Sequence, residues 1–209
     1  VERFVPRGRA HIGAVLYLTA SEASDTTYDG PVRVSCSSIR GIVLGGTGAG
    51  AAEDEAGAVA EVVEVLQGAG VPGVKAAEVI RQAVWHKLLG NSTFNPMSAL
   101  TLQPCDYLCS EPRSKALVRM CMFEMLSVAV KLGVYDEGEV DVDARLAVTA
   151  AIPAGFKTSM LQDVEAGREP EVGPLLGAVL DLAELVQVGT PSLSVLHTLT
   201  AARADALRG

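Results

Sequence analysis

A short α+β segment followed by an all-helical region is the fold class this sequence predicts, on three observations. Before about residue 75 the apolar residues come in compact or alternating runs, and after it they recur at helical spacing as far as Leu207. Hydrophobic residues are 49% of the 209 and charged residues 20%, which is enough apolar material for a well-filled core. Aromatic residues are only 4%, so that core has to be built mainly from Ala, Val and Leu.

The same composition removes several classes of function. A net charge of −8 argues against binding a phosphate backbone, which needs a basic face. No uninterrupted apolar stretch of about 18 residues is present, so no membrane span is expected. The opening Val1-Glu2-Arg3-Phe4-Val5-Pro6 lacks the apolar centre of a signal peptide and begins without Met, so Val1 is not expected to be a natural N-terminus. Cys36, Cys105, Cys109 and Cys121 form no CxxC pair, and His11, His86 and His197 are scattered. No metal site is expected, and reduced thiols in a cytoplasmic protein are the simplest reading.

Three strands are expected in the first part. His11–Leu18 is a compact apolar run, Val32–Cys36 alternates, and Ile39–Gly45 follows after a short break, with Asp29-Gly30-Pro31 as turn chemistry before the second. With no helix between them, they suggest a meander. The run Gly45-Gly46-Thr47-Gly48-Ala49-Gly50 lies between a strand and a helix but has no clean acidic residue about 20 positions on, as a dinucleotide loop would. It reads as a flexible connection. An amphipathic helix from about Ala52 to Leu66 follows, and Gly68 to Gly70 close it. Residues 1–75 and 76–209 are the two expected domains.

Helices then follow without interruption. The first runs from Ala77, with Pro96 marking a kink or stop. Further helices are expected at Pro112–Leu132, Val142–Ala151, from about Ser159, at Pro170–Val188 and at Ser192–Leu207. In the first of these, Lys87, Asn91 and Asn95 fall four apart, each rotated about 40° from the last, so all three share one face. One ammonium and two carboxamides on such a face are either a solvated surface or a binding stripe. Later, Ser159 with Gln162 reads as a capping box, and Glu171 as an acid favoured in a helix's first turn.

Taken together, Trp85-x-Lys87-x3-Asn91-x3-Asn95-Pro96 and Ser159-Met160-x2-Asp163-x4-Arg168-x2-Glu171 resemble the ketopantoate reductase (2-dehydropantoate 2-reductase) family. Gly189-Thr190-Pro191 is similar to that family's turn before its last helix. The resemblance implies a few residual strands of a Rossmann domain, then an all-α domain of the 6-phosphogluconate-dehydrogenase type, in a fragment that lacks the GxGxxG unit. It implies NADPH as cofactor, with no binding motif for it in this chain, and reduction of 2-dehydropantoate to pantoate. Lys87 then resembles the cationic acid beside the carbonyl, and Asn91 and Asn95 the carboxamides that bind substrate oxygens. Ser159 resembles the hydroxyl that binds the substrate carboxylate. Glu171 resembles the carboxylate that accepts the substrate hydroxyl and favours the protonated form of Lys87. Asp163 and Arg168 match motif positions and read as a structural pair. Pro170, where the family usually has Thr, and Gly173, where it usually has an acid, are departures on either side of Glu171. The expected partners are a small 2-oxo acid and a second copy of the chain. A related 2-oxo acid or opine-type dehydrogenase, or a helical interaction domain without catalysis, are the alternatives.

Overall fold

The computed structural model describes residues 12–22, 34–47 and 52–208. The Asp29-Gly30-Pro31 turn and Gly48–Gly50 lie outside the described residues. The chain forms two compact units, Val1–Val84 and Trp85–Gly209.

The first unit contains a three-stranded sheet of order β1-β2-β3. Strands β1 (Ile12–Glu22) and β2 (Val34–Gly46) pair antiparallel, with irregularities between Tyr17 and Leu18 and between Thr19 and Ala20. The two runs expected as separate strands are thus one long β2, and local shifts in pairing absorb the break in alternation. Strand β3 (Val74–Ala76) pairs parallel to β2, with helix α1 (Ala52–Gly68) between them. The meander is therefore corrected to a hairpin followed by a β2–α1–β3 crossover. Three residues are too few to show alternation, which is why β3 escaped the sequence pattern.

Both sheet faces are covered, and consecutive β2 residues go to opposite sides. Leu44 packs with Val59 of α1 and Val74, supported by Val62, Val63 and Leu66. Val43 packs with Val15 and Ile80. Gly13 and Gly45 are register partners on the Ile80 side, so no side chain stands between the sheet and Ile80 there. A Cβ on Gly45 would stand 2.9 Å from Ile80 Cβ, and one on Gly13 3.0 Å from its Cγ1. On the other face, a Cβ on Gly46 would meet the Glu55 carboxylate at 2.5 Å. Gly45 and Gly46 are strand positions chosen for close packing, which corrects the reading of this part of the glycine run as a flexible connection.

Helix α2 (Ile80–Thr101) starts three residues later than expected and runs through Pro96 without stopping. It ends at Leu102, whose φ is 55°, in the left-handed region. The rest of the second unit is helical: α3 (Cys105–Ser110), α4 (Pro112–Lys131), α5 (Val142–Ala150), α6 (Ser159–Glu165), a π turn (Gly173–Gly177) continuing into α7 (Ala178–Leu185), and α8 (Pro191–Arg208). Its core is centred on α4, whose Val118, Cys121, Met122, Met125, Val128 and Ala129 are all essentially inaccessible. Trp85, Leu89, Phe94 and Met97 of α2 join the same cluster. Cys105, Cys109 and Cys121 are buried and free, and burial pushes Cys105 up to about 11 and Cys121 to about 12, so they behave as small apolar side chains. None of the helices among the described residues is long and apolar enough to cross a membrane.

The caps show how local chemistry starts these helices. The Glu111 carboxylate accepts the Ser114 N–H at 2.7 Å, and Asp141 caps α5 by accepting from Asp143 and Ala144. Gly133 turns the chain out of α4 with φ 66°. Helix α8 is capped from a distance: Glu124 of α4 accepts the Ser192 and Leu193 N–H groups, both at 2.9 Å. Two charge-assisted bonds to otherwise orphaned donors make this cap stronger than a neutral one. We expect Glu124→Ala to lower the stability of the helical unit by about 1–3 kcal/mol in urea denaturation without changing its helix content; an unchanged midpoint would show that water replaces the cap at no cost.

Candidate active site

The site begins on α2. At about 100° per residue, Lys87, Asn91 and Asn95 advance around the helix by about 40° each. Their exposure falls along the stripe: Lys87 and Asn91 are half-buried, and Asn95 is 7% exposed. Two structural elements adjoin the deeper end. The Ser92 hydroxyl, fully buried, donates to the Leu175 carbonyl inside the π turn at 2.9 Å. One to two turns on, Ala99 packs with Met160 and Val164 of α6 and with Leu175. Ser92 and Ala99 lie about 40–60° beyond Asn95 on the helix surface, so α6 and the π turn pack beside the polar stripe. Helix α6 begins with Ser159, and Glu171 stands two residues ahead of the π turn.

Ser159 is exposed at the first position of α6, and its hydroxyl is not the cap. Thr158, 4% exposed, caps the helix by accepting the Leu161 N–H at 3.1 Å, while the Gln162 carboxamide donates to the Lys157 carbonyl. The expected Ser159–Gln162 capping box is therefore corrected by one residue. The reason is that Thr158 supplies an equally good oxygen one position earlier, in extended backbone. Glu171 is exposed and sits just ahead of the helical run, which begins at Val172 rather than at Pro170. The Val172 N–H bonds back to the Pro170 carbonyl, and Pro170 itself is buried. Among the described residues, the side chains of Asn91, Asn95, Ser159 and Glu171 have no hydrogen-bond partner. Asp163 and Arg168 differ: Arg168 binds Asp163 through Nε at 2.9 Å and Nη2 at 2.7 Å, the structural pair the sequence suggested.

Burial pushes the Lys87 ammonium below its ordinary 10.5. The expectation was that a carboxylate would favour its protonated form, but desolvation acts in the opposite direction and is the cause here. The result is a stronger proton donor than a solvated lysine. Arg145 of α5 lies on the neighbouring flank, its Nη2 donating to the His86 carbonyl at 3.3 Å. A Cβ on Gly90 would come within 3.2 Å of that guanidinium. Neither contact was visible in the sequence, because α5 is some sixty positions away from α2.

A model of the family described as ketopantoate reductase PanE/ApbA, C terminal, matches residues 79–204. The chain belongs to this family. A curated 2-dehydropantoate 2-reductase of Mesorhizobium japonicum is 38% identical over 120 residues, covering 57% of this chain and 36% of that protein. Among solved structures, the 2-dehydropantoate 2-reductase of Methylococcus capsulatus superposes with a TM-score of 0.75 at 25% identity, over 95% of this chain and 64% of that one. The chain thus spans about a third of the curated relative and less than two thirds of the solved reductase. A small sheet followed by a helical region is the part of the ketopantoate reductase fold it shares. D-mandelate dehydrogenase, solved with NADH and anilino(oxo)acetate, has the same fold at 21% identity and a TM-score of 0.74.

A nicotinamide dinucleotide needs small residues whose backbone can approach a pyrophosphate. Gly45 and Gly46 do not fit that need. The space over them is filled by Ile80 and by the Glu55 side chain.

The burial of Lys87 has a pH signature. The unfolded chain holds this proton up to 10.5 while the folded chain releases it at lower pH, so stability rises with pH between the two values. In NMR of side-chain-labelled lysines, the Lys87 Nζ resonance should titrate below 10.5; titration at or above that value would remove the desolvation argument.

Proposed function

We propose that this chain carries the substrate-binding and proton-donating residues for reduction of 2-dehydropantoate to pantoate, with NADPH as the reductant. The observation that carries the reading is a desolvated Lys87 on one α2 face with Asn91 and the buried Asn95, beside α6 and the π turn. Hydride addition to a ketone leaves negative charge on the carbonyl oxygen. An ammonium beside that oxygen stabilises the charge and then supplies the proton, and a lowered pKa favours that transfer. NADPH, when bound, would supply the hydride. Asn91 and Asn95 supply carboxamide N–H groups to substrate oxygens, and their hydrogen-bonding capacity is not used by the described residues of the fold. The Ser159 hydroxyl binds the substrate carboxylate, and Glu171 accepts the hydroxyl at the other end of the substrate. A second copy of the chain remains the proposed protein partner.

A second reading, reduction of a different 2-oxo acid, is favoured by Gly173, which stands where the family usually has an acid. Replacing an acid next to Glu171 alters the pocket end that reads the substrate hydroxyl, and a missing polar partner discriminates by several orders of magnitude.

In protein expressed from the complete reading frame, Lys87→Ala should lower the turnover of 2-dehydropantoate by about 10²–10⁴-fold while the thermal midpoint holds. Normal turnover would leave Lys87 as a structural lysine. Comparing 2-dehydropantoate with its analogue lacking the hydroxyl decides between the two substrates. In addition, NADPH fluorescence titrated with the purified 209-residue chain should show no micromolar binding; tight binding would mean that a cradle exists outside the described residues.

A further inference from the structure

Ser92 stands out among the polar residues of the helical unit. It is inaccessible to solvent, lies between Asn91 and Asn95 in sequence, and uses its hydroxyl on a carbonyl 83 residues away. Most buried serines and threonines in helices bond back to their own preceding turn, as Thr93 does to Leu89 at 2.7 Å and Thr200 to Leu196 at 2.6 Å. Ser92 instead reaches out of its helix. Its acceptor, Leu175, is the middle residue of the π turn, where the Ala178 N–H bonds to the Gly173 carbonyl, five positions back rather than four. Pro174 in this turn has no N–H to give, and Gly173 and Gly177 flank the widened loop. A π turn is a rare departure from the i→i+4 ladder, and only Val172 separates this one from Glu171. Whatever fixes the turn fixes the backbone from which the Glu171 side chain projects.

We propose that Ser92 is a positioning residue for substrate discrimination: by clamping the Leu175 carbonyl, it sets where Glu171 stands relative to the Lys87–Asn91–Asn95 stripe, and so which hydroxyl-bearing 2-oxo acid fits. The proposal rests on the reading of Glu171 as the group that accepts the substrate hydroxyl. The clamp joins the two ends of the substrate through protein alone. One end is read by the α2 stripe and the other by the residue ahead of the π turn, and the Ser92 hydroxyl makes a hydrogen bond from α2 to that turn. Ser92 does not touch the substrate itself. Its effect has to appear through Glu171, and it should vanish for a substrate that has no hydroxyl to be read.

The experiment is a double-mutant cycle in protein expressed from the complete reading frame, with Ser92→Ala, Glu171→Gln and the double variant. Each is measured on 2-dehydropantoate and on the analogue lacking its hydroxyl. Ser92→Ala should lower kcat/KM for 2-dehydropantoate by about 3- to 10-fold, the size of one lost neutral hydrogen bond, and leave the analogue unchanged. Combined with Glu171→Gln it should add little, because both changes remove the same reading of the hydroxyl. Ser92→Thr, which keeps a γ-hydroxyl, should restore most of the loss. Equal losses on both substrates, or effects that multiply in the double variant, would overturn the proposal and leave Ser92 as a core hydrogen bond, with any fall in thermal midpoint measuring its structural share. If Glu171→Gln alone leaves both substrates untouched while Ser92→Ala discriminates between them, the assignment of Glu171 has failed and the clamp acts on another group. If neither variant discriminates, the clamp has no part in specificity.

Discussion

A stretch of helix buried on all sides has to dispose of its own polar groups, and residues 92–99 of α2 are that stretch. Ser92 through Ala99 are buried without a break, a full two turns with no solvated face. Three hydroxyls make this tolerable. Thr93 bonds back to Leu89 in its own helix, Ser98 to the carbonyl of Gln103, and Ser92 to Leu175. Each satisfied hydroxyl avoids a desolvation cost of about 1–3 kcal/mol. Pro96 sits inside this stretch, and the helix survives it because packing on every side outweighs one missing backbone bond. Trp85, Leu89, Phe94 and Met97 are held in the α4-centred core by the same continuity.

The polar stripe inherits its gradient from that burial. Lys87 lies near the start of the helix, where it is half-buried, and Asn95 in the middle of the enclosed turns. A charged ammonium tolerates partial desolvation and answers with a lowered pKa. A carboxamide deeper in carries no charge to shift, so it depends on hydrogen bonds alone. One helix thus carries a partly desolvated ammonium at one end of the stripe and a buried, neutral carboxamide at the other.

Much of the helical region could be read from local chemistry. Pro112, Gly133 and Pro191 mark helix ends that the structure places within a residue or two, and Asp163 with Arg168 are five positions apart and pair as expected. The four-residue spacing of Lys87, Asn91 and Asn95 guarantees a common face in any α-helix, and the family motif points to the same residues. The errors have a common origin as well. Ser159 lost its cap to the adjacent Thr158, because single-residue offsets between two good capping residues depend on backbone angles. The helical run after Pro170 opens in a π turn, which no periodicity of 3.6 can announce.

What the sequence by itself determined is therefore what short-range physics controls: helix periods, helix stops, the composition of the core, and the set of polar residues that share the α2 face. Tertiary structure alone decided the long-range pairings. The parallel pairing of β3 with β2 needs α1 to cross over, and the fit of Ile80 needs Gly13 opposite Gly45. The cap on α8 comes from Glu124, 68 residues before it, and the clamp on the π turn comes from Ser92, 83 residues before it. Such partners are chosen by which surfaces meet when the core closes, and hydrogen bonds between them form only after the loop between has already lost its entropy. Nothing in the residues beside Leu175 marks it as an acceptor for α2, and that is why this pairing belongs to the fold.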